Sequence, residues 1–279
     1  MKLATIRTTD GTACVRVDTA TATETGYADL GALLSEPGWR EIAEAADGPV
    51  HAVADLDYAP VVPRPGKVVC VGLNYRNHIQ EMGREIPQYP TLFTKFPEAL
   101  VGAHDDIVLP AVSDAVDWEA ELAVVIGTTV RHADQEAATA AIAGYSILND
   151  VTIRDWQYRT TQWHQGKSFE ATTPFGPVMV TPDEVDAGAG LRLAGEVDGE
   201  TVQQADTSDL VFDAATLVAY ISTMVTLRPG DVIATGTPGG VGHARTPQRY
   251  LTEGQVLTTR IEGIGECRNA TRKEKTTGA

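Results

Sequence analysis

The segment Asp117-Trp118-Glu119-Ala120-Glu121-Leu122 sets two carboxylates two residues apart and then runs into the apolar stretch Ala123-Val124-Val125-Ile126-Gly127. Side chains alternate faces along a β-strand, so Glu119 and Glu121 point the same way, about 7 Å apart along the backbone. Trp118, Ala120, Leu122, Val124 and Ile126 take the other, core face. An E-x-E pattern in a strand is ordinarily a solvated face. Here that face continues as Ala123 and Val125, as expected of a strand covered on both sides, and buried like-charged carboxylates are costly unless something neutralises them. A third carboxylate, Asp150, follows the apolar run AIAGYSILN. Thr152 and Asp155 read as an imperfect capping box for a helix over 153–165, which leaves Asp150 for other work. Two readings stand: a solvated Glu face with Asp150 as a helix cap, or an all-oxygen cage for a hard divalent cation, Mg²⁺ with Mn²⁺ or Ca²⁺ as alternatives.

Arg154 and Gln157 follow on one face of that helix, and Lys167 lies in Gly-Lys-Ser-Phe-Glu, where turns are expected to expose it. Singly these are ordinary surface residues; together they bring cationic and amide donors to a cage that takes an anionic ligand. His78 and Glu81 are three residues apart, so one helical turn joins an imidazole to a carboxylate that orients it and raises its basicity. A solvated surface histidine is the commoner situation. The polar stretch EMGREIPQYP after it reads as a segment that closes over a site. Residues 230–242, GDVIATGTPGGVG, read as a strand entering a glycine-rich loop, where backbone N–H groups and the Thr237 hydroxyl offer donors to an anion. No Gly-Lys-Ser/Thr follows, and no G-x-S-x-G or H-E-x-x-H occurs, which removes the P-loop, the usual serine hydrolase and the zinc protease.

The elements that would position these residues are mostly strands. Residues 2–17 read as a hairpin about Thr9-Asp10-Gly11, and 38–45 as a short helix. The proline-rich joint at 60–66 suggests a boundary, with a small α/β domain over 1–62 and a catalytic domain over 63–279. Apolar runs at 68–73, 106–110, 118–127, 177–181, 191–199, 230–238 and 255–265 read as strands, and 134–143, 153–165 and 214–226 as helices. The result is a β-rich α+β chain without the βαβ alternation of a doubly wound sheet.

With 38 acidic and 22 basic residues among 279, the net charge is −16. That balance argues against nucleic acid or an anionic membrane as partner. Cys14, Cys70 and Cys267 lie far apart, so neither a disulfide framework nor a zinc site is expected, and a reducing cytoplasm is the natural setting. No signal-peptide pattern and no membrane-length apolar run is present.

Six motifs in order, GLNYRNHIQE, PTLFTKFPEALVG, DWEAELAVVIG, GYSILNDVTIRDWQ, GKSFEATTPFGP and LRPGDVIATGTPGGVG, span about Lys67 to Asn269. Together they resemble the fumarylacetoacetate hydrolase family. The resemblance implies a mixed β-roll catalytic domain, usually dimeric, and a divalent metal held by Glu119, Glu121 and Asp150. It further implies catalytic roles for His78, Glu81 and Lys167 and substrate contacts from Tyr75, Arg154, Gln157 and Thr237. The activity it implies first is Mg²⁺-dependent hydrolysis of a C–C bond in an acylpyruvate-type 2,4-diketo acid such as fumarylpyruvate. Oxaloacetate decarboxylation and hydroxymuconate-type isomerisation in aromatic catabolism are the close alternatives. A non-catalytic metal-binding protein on the same fold is the third. One departure is visible: Glu170 stands where many relatives carry Asp, and its extra methylene is expected to shift Lys167 or the local hydrogen bonds, so this segment assigns no subfamily.

Overall fold

The computed structural model describes residues 1–81, 83 and 85–275, with the side chain of Glu81 outside the described set. The first part of the chain forms β1 (Lys2–Thr8), β2 (Gly11–Val17), β3 (Thr21–Glu24), α1 (Leu30–Leu34), α2 (Trp39–Glu44) and β4 (Val50–Ala52). The middle forms β5 (Val68–Gly72), α3 (Arg76–Glu81), β6 (Thr91–Lys95), β7 (Leu100–Val101), β8 (Ile107–Leu109), β9 (Val116–Asp117), β10 (Ala120–Ile126), α4 (Gln135–Ala140), β11 (Ile142–Asn149) and β12 (Thr152–Ile153). Then come α5 (Arg154–Gln157), α6 (His164–Lys167), β13 (Thr173–Val180), β14 (Arg192–Val197), β15 (Glu200–Asp206), α7 (Ala214–Met224), β16 (Val232–Ala234), β17 (Val256–Ile261) and β18 (Gly265–Lys273).

An eleven-stranded mixed sheet runs β4-β3-β2-β1-β13-β11-β10-β16-β5-β6, with β7 added to β13. A five-stranded sheet, β15-β14-β17-β18-β8, packs against it. The hairpin at 2–17 forms as expected, in register from Lys2↔Val17 to Thr8↔Gly11. Through β1 on β13 (Lys2↔Val180, Leu3↔Met179), the N-terminal strands continue the large sheet. The proline-rich joint is buried at Val61 and Val62, and Val61 N–H donates to Phe175.

β10 sits deep in the large sheet and is buried along its whole length. Leu122, Val124 and Ile126 pack on one side with Leu217 and Ile221 of α7. Ala123 and Val125 pack on the other with Leu30 and Leu33 of α1. The strand is therefore covered on both faces, as its sequence indicated. Asp134 and Asp213 cap α4 and α7, accepting from the Ala137 and Thr216 N–H groups, as short-chain acceptors do at helix starts.

The helix expected over 153–165 is two single turns, α5 and α6, that pack on each other. A continuous helix rises about 1.5 Å per residue, which would carry Lys167 about 20 Å from Arg154, yet both side chains contact Glu119. The chain folds back to bring them together. Gly166 permits the close approach, because a Cβ there would collide with the Gln157 amide nitrogen. The capping box does not form either. Thr152 belongs to β12, whose pairing with β9 needs extended backbone, and its hydroxyl donates to the Asp150 carbonyl. Asp155 instead accepts from the Ser113 hydroxyl. Among the described residues, no helix is long and apolar enough to cross a membrane.

Candidate active site

Strand pairing brings the three carboxylates together. In the antiparallel β10–β11 ladder Ala120 faces Asn149, so Glu119, just before β10, and Asp150, just after β11, are neighbours. The Asp150 N–H donates to the Glu119 carbonyl at 2.8 Å, and Asn149 Oδ1 accepts from the Glu119 N–H at 2.9 Å. One oxygen each from Glu119, Glu121 and Asp150 lies within 4.8 Å of the others, and all three residues are buried.

Three cations meet this cluster. Lys167 Nζ lies 2.7 Å from both Glu119 Oε2 and Asp150 Oδ2. Lys95 Nζ lies 2.6 Å from Asp150 Oδ1 and also donates to the Val151 carbonyl. Arg154 reaches Glu119 at 2.7 Å and Asp117 at 2.8 Å. Four carboxylates thus face three cations, and Glu121 is the one left over: it accepts from the Gly236 N–H at 2.8 Å and has no ion pair among the described residues. Burial, reinforced by Asp150 and Glu119, pushes Glu121 well above the usual carboxylate range. Burial would also raise Asp150, but Lys167 and Lys95 outweigh it and hold it below its ordinary value. A hard-oxygen donor set with one uncompensated buried charge fits a divalent cation, and Glu119, Glu121 and Asp150 are the residues that would hold it.

Lys167 is not exposed as its turn-like sequence suggested; it is almost fully buried at the end of α6, because its charge is spent on the cage. Burial alone would lower its pKa, but Asp150 and Glu119 outweigh that and raise it, so it remains an ammonium at neutral pH. Arg154 is likewise kept charged, Glu119 and Asp117 overcoming its burial. Glu170 is exposed, while Lys167 bonds to Glu119 and Asp150, so the departure at Glu170 leaves the lysine's hydrogen bonds untouched.

A cavity of about 150 Å³ opens onto the cluster. Of the sequence-predicted residues, His78, Glu119, Arg154, Gln157, Lys167 and Thr237 line it, with Phe93, Trp163, Tyr158 and His243 completing its wall. Glu121 and Asp150 lie behind that lining. Tyr75 is buried and does not line the cavity; its hydroxyl has no hydrogen-bond partner among the described residues. Glu81 ends α3, but its side chain lies outside the described residues, so the expected His78–Glu81 pair does too.

Two predicted substrate contacts have their polarity fixed. Gln157 Oε1 accepts from Arg154, which only donates, so the Gln157 amide NH₂ is the end left for a ligand. The Thr237 hydroxyl donates to the Ala120 carbonyl and accepts from Gln203 Nε2. With its proton on the backbone carbonyl, Thr237 forms part of the cavity wall.

Sequence reading assigned no role to Lys95, Asp117 or Gln203. Lys95 stood in the quoted motif PTLFTKFPEALVG, and Asp117 opened DWEAEL, but nothing in either pattern says which partner the side chain meets. Asp117 is fully buried and accepts from Arg154, from its neighbour Trp118 N–H, and from the Gly242 and His243 N–H groups. It ties the glycine-rich loop to Arg154. At Gly242 a Cβ would collide with the Arg249 carbonyl oxygen and stand 2.8 Å from the Asp117 carboxylate, so only glycine seats there.

The chain matches the family described as fumarylacetoacetate (FAA) hydrolase C-terminal over residues 67–272. It is 44% identical over 225 residues to the human mitochondrial oxaloacetate tautomerase FAHD2A, covering 80% of this chain and 72% of that protein. It shares its fold with the fumarylacetoacetate hydrolase of psychrophilic Exiguobacterium antarcticum, at 34% identity and a TM-score of 0.89, covering 98% of this chain and 100% of the other. A 5-carboxymethyl-2-hydroxymuconate delta-isomerase from Mycobacterium smegmatis is similar at 33% identity and a TM-score of 0.83, covering 99% of this chain and 100% of the other. By this family match and these relatives, the chain belongs to the fumarylacetoacetate hydrolase family.

Proposed function

We propose that this chain interconverts the keto and enol forms of a small 2-oxo dicarboxylic acid, oxaloacetate first, with a divalent cation in the Glu119–Glu121–Asp150 cage. The observation that carries this reading is the 44% identity to an oxaloacetate tautomerase, with the likeness to an isomerase in support. Hydrolysis, first in the sequence reading, becomes the second reading, favoured by His78 on the cavity wall where it could activate water.

The bound cation would supply Lewis-acid polarisation of the 2-oxo group. Lys167, fixed as an ammonium, stabilises negative charge developing on the enolate oxygen. It is too strongly held in its protonated form to remove a proton, so His78 is the group that takes the proton from C3 of the acid. The same proton count returns at the C2 oxygen, leaving the enol. The Gln157 amide NH₂ orients a substrate carboxylate, and the aromatic wall of Phe93 and Trp163 limits water.

The test mixes metal-stripped protein with enol-enriched oxaloacetate, acetylpyruvate or fumarylpyruvate, with Mg²⁺ or EDTA, following ultraviolet absorbance and pyruvate separately. Mg²⁺-dependent loss of enol absorbance without pyruvate supports tautomerisation. Pyruvate from an acylpyruvate would establish hydrolysis instead, and pyruvate from oxaloacetate would establish decarboxylation. Silence on all three returns the chain to a metal-binding role. Three buried free thiols suit a reducing compartment, in our reading the cytoplasm. The expected homodimer is tested by light scattering on the purified chain.

A further inference from the structure

His243 was not among the residues its sequence singled out, yet its ring lines the cavity from the glycine-rich loop. The ring is clamped. It stacks on Tyr158 with centroids 5.2 Å apart, and Nδ1 lies 2.8 Å from the Tyr250 hydroxyl. The Gln248 side-chain amide nitrogen also lies 3.3 Å from Nδ1, and the Tyr250 hydroxyl donates to Gln248 Oε1 at 3.0 Å. These contacts all fall on Nδ1, and Nε2 has no hydrogen bond among the described residues. The charged and titratable groups facing the ring are Arg154 from α5, Tyr158 just after it, Asp117 from β9, and Tyr250. Burial and Arg154 hold the imidazole below its ordinary pKa against the opposing pull of Asp117, so it is neutral in the free protein at neutral pH.

Among the described residues, Lys95 and Lys167 are spent on the cage and Arg154 on Asp117 and Glu119. A dicarboxylate whose 2-oxo acid end sits at the cage brings a second negative charge. Gln157 offers it neutral N–H donors only. Besides His78, which the keto-acid reading uses as the base, His243 is a clamped imidazole on the wall that can become a cation to meet it.

We propose that His243 reads the second carboxylate of the substrate, taking up one proton as that carboxylate binds and so selecting dicarboxylic over monocarboxylic 2-oxo acids. This rests on the keto-acid reading above and names the feature of the substrate that the loop recognises.

Calorimetry on the Mg²⁺-loaded protein tests it with malate and lactate, unreactive acids that differ by the second carboxylate. Titrations in buffers of different ionisation enthalpy report protons taken up. Malate is expected to bind with uptake approaching one proton near pH 7.5, and lactate without it. In His243→Gln the uptake disappears and the malate-over-lactate preference falls about tenfold, the scale of one charge-assisted hydrogen bond. His243→Arg keeps the preference without the uptake. Malate binding with no proton uptake, or an unchanged preference in a folded His243→Gln, would overturn the proposal while leaving the keto-acid reading in place. Binding of neither acid to the Mg²⁺-loaded protein would overturn both.

Discussion

Lys95 and Asp150 meet 2.6 Å apart with both side chains shut off from solvent. The pair crosses 55 residues of chain, joining the end of β6 to the end of β11, and fixes one oxygen of a cage residue while Lys167 fixes the other. Removing one partner of a buried pair strands the other charge, at about 3–5 kcal/mol. Lys95→Met is therefore expected to destabilise the chain by that amount in urea melts. Adding Asp150→Asn should recover part of the loss, and strictly additive effects of the two substitutions would refute the coupling.

Glu121 is the uncompensated charge of the cluster, and Glu121→Gln separates its two consequences. Without metal the variant should be more stable than the parent, because a buried carboxylate that repels Asp150 and Glu119 has gone. With Mg²⁺ the order should reverse. The parent gains about 2.7 kcal/mol at a hundredfold excess over the dissociation constant, and the variant gains little. Thermal melts in EDTA and in Mg²⁺ read both arms, and equal Mg²⁺ shifts would remove Glu121 from the ligand set.

Thr237 and Gln203 act as one unit on the backbone of Ala120. Gln203 Oε1 takes the Ala120 N–H, its amide donates to Thr237, and Thr237 donates to the Ala120 carbonyl. Thr237→Val leaves the buried Ala120 carbonyl and Gln203 amide each short of a partner, a cost of about 1–3 kcal/mol. Gln203→Met should cost a similar amount, and a double-mutant cycle should show coupling above about 0.5 kcal/mol. Lost activity with unchanged stability in Thr237→Val would mean that the hydroxyl serves the substrate directly.

Away from the site, Asp183 gives a pH-dependent prediction. Hydrogen bonds from Thr181 and then Arg40 lower its pKa from 3.8 to about 2. A carboxylate with a depressed folded pKa contributes stability above its unfolded value and loses it as pH falls through the folded one. Asp183→Asn should therefore lie below the parent in melting temperature at pH 5, with the gap closing between pH 3.8 and about 2. The side chain is largely exposed, so the effect stays well under about 1 kcal/mol. A gap that persists at pH 2 would place its origin elsewhere.

The amino-acid sequence by itself determined the features set by short-range patterning. Alternation along 118–127 placed Glu119 and Glu121 on one face of a doubly covered strand, and the Asp10-Gly11 turn fixed the first hairpin. The order of the motifs pointed, through family resemblance, to the three carboxylates that the fold brings together. Each of these depends on neighbours within a few residues or on a residue pattern that can be read linearly.

Only the tertiary structure decided the partners. The 153–165 segment has a helical pattern, but the demand that Arg154 and Lys167 both reach Glu119 outweighs local propensity and breaks it in two. Lys95, Asp117, Gln203 and His243 carry no local mark of function, because their roles come from strand pairing and loop packing that join distant parts of the chain. Whether a lysine is a solvated surface group or a permanent buried cation depends on which carboxylates stand beside it, and that is settled by the sheet register.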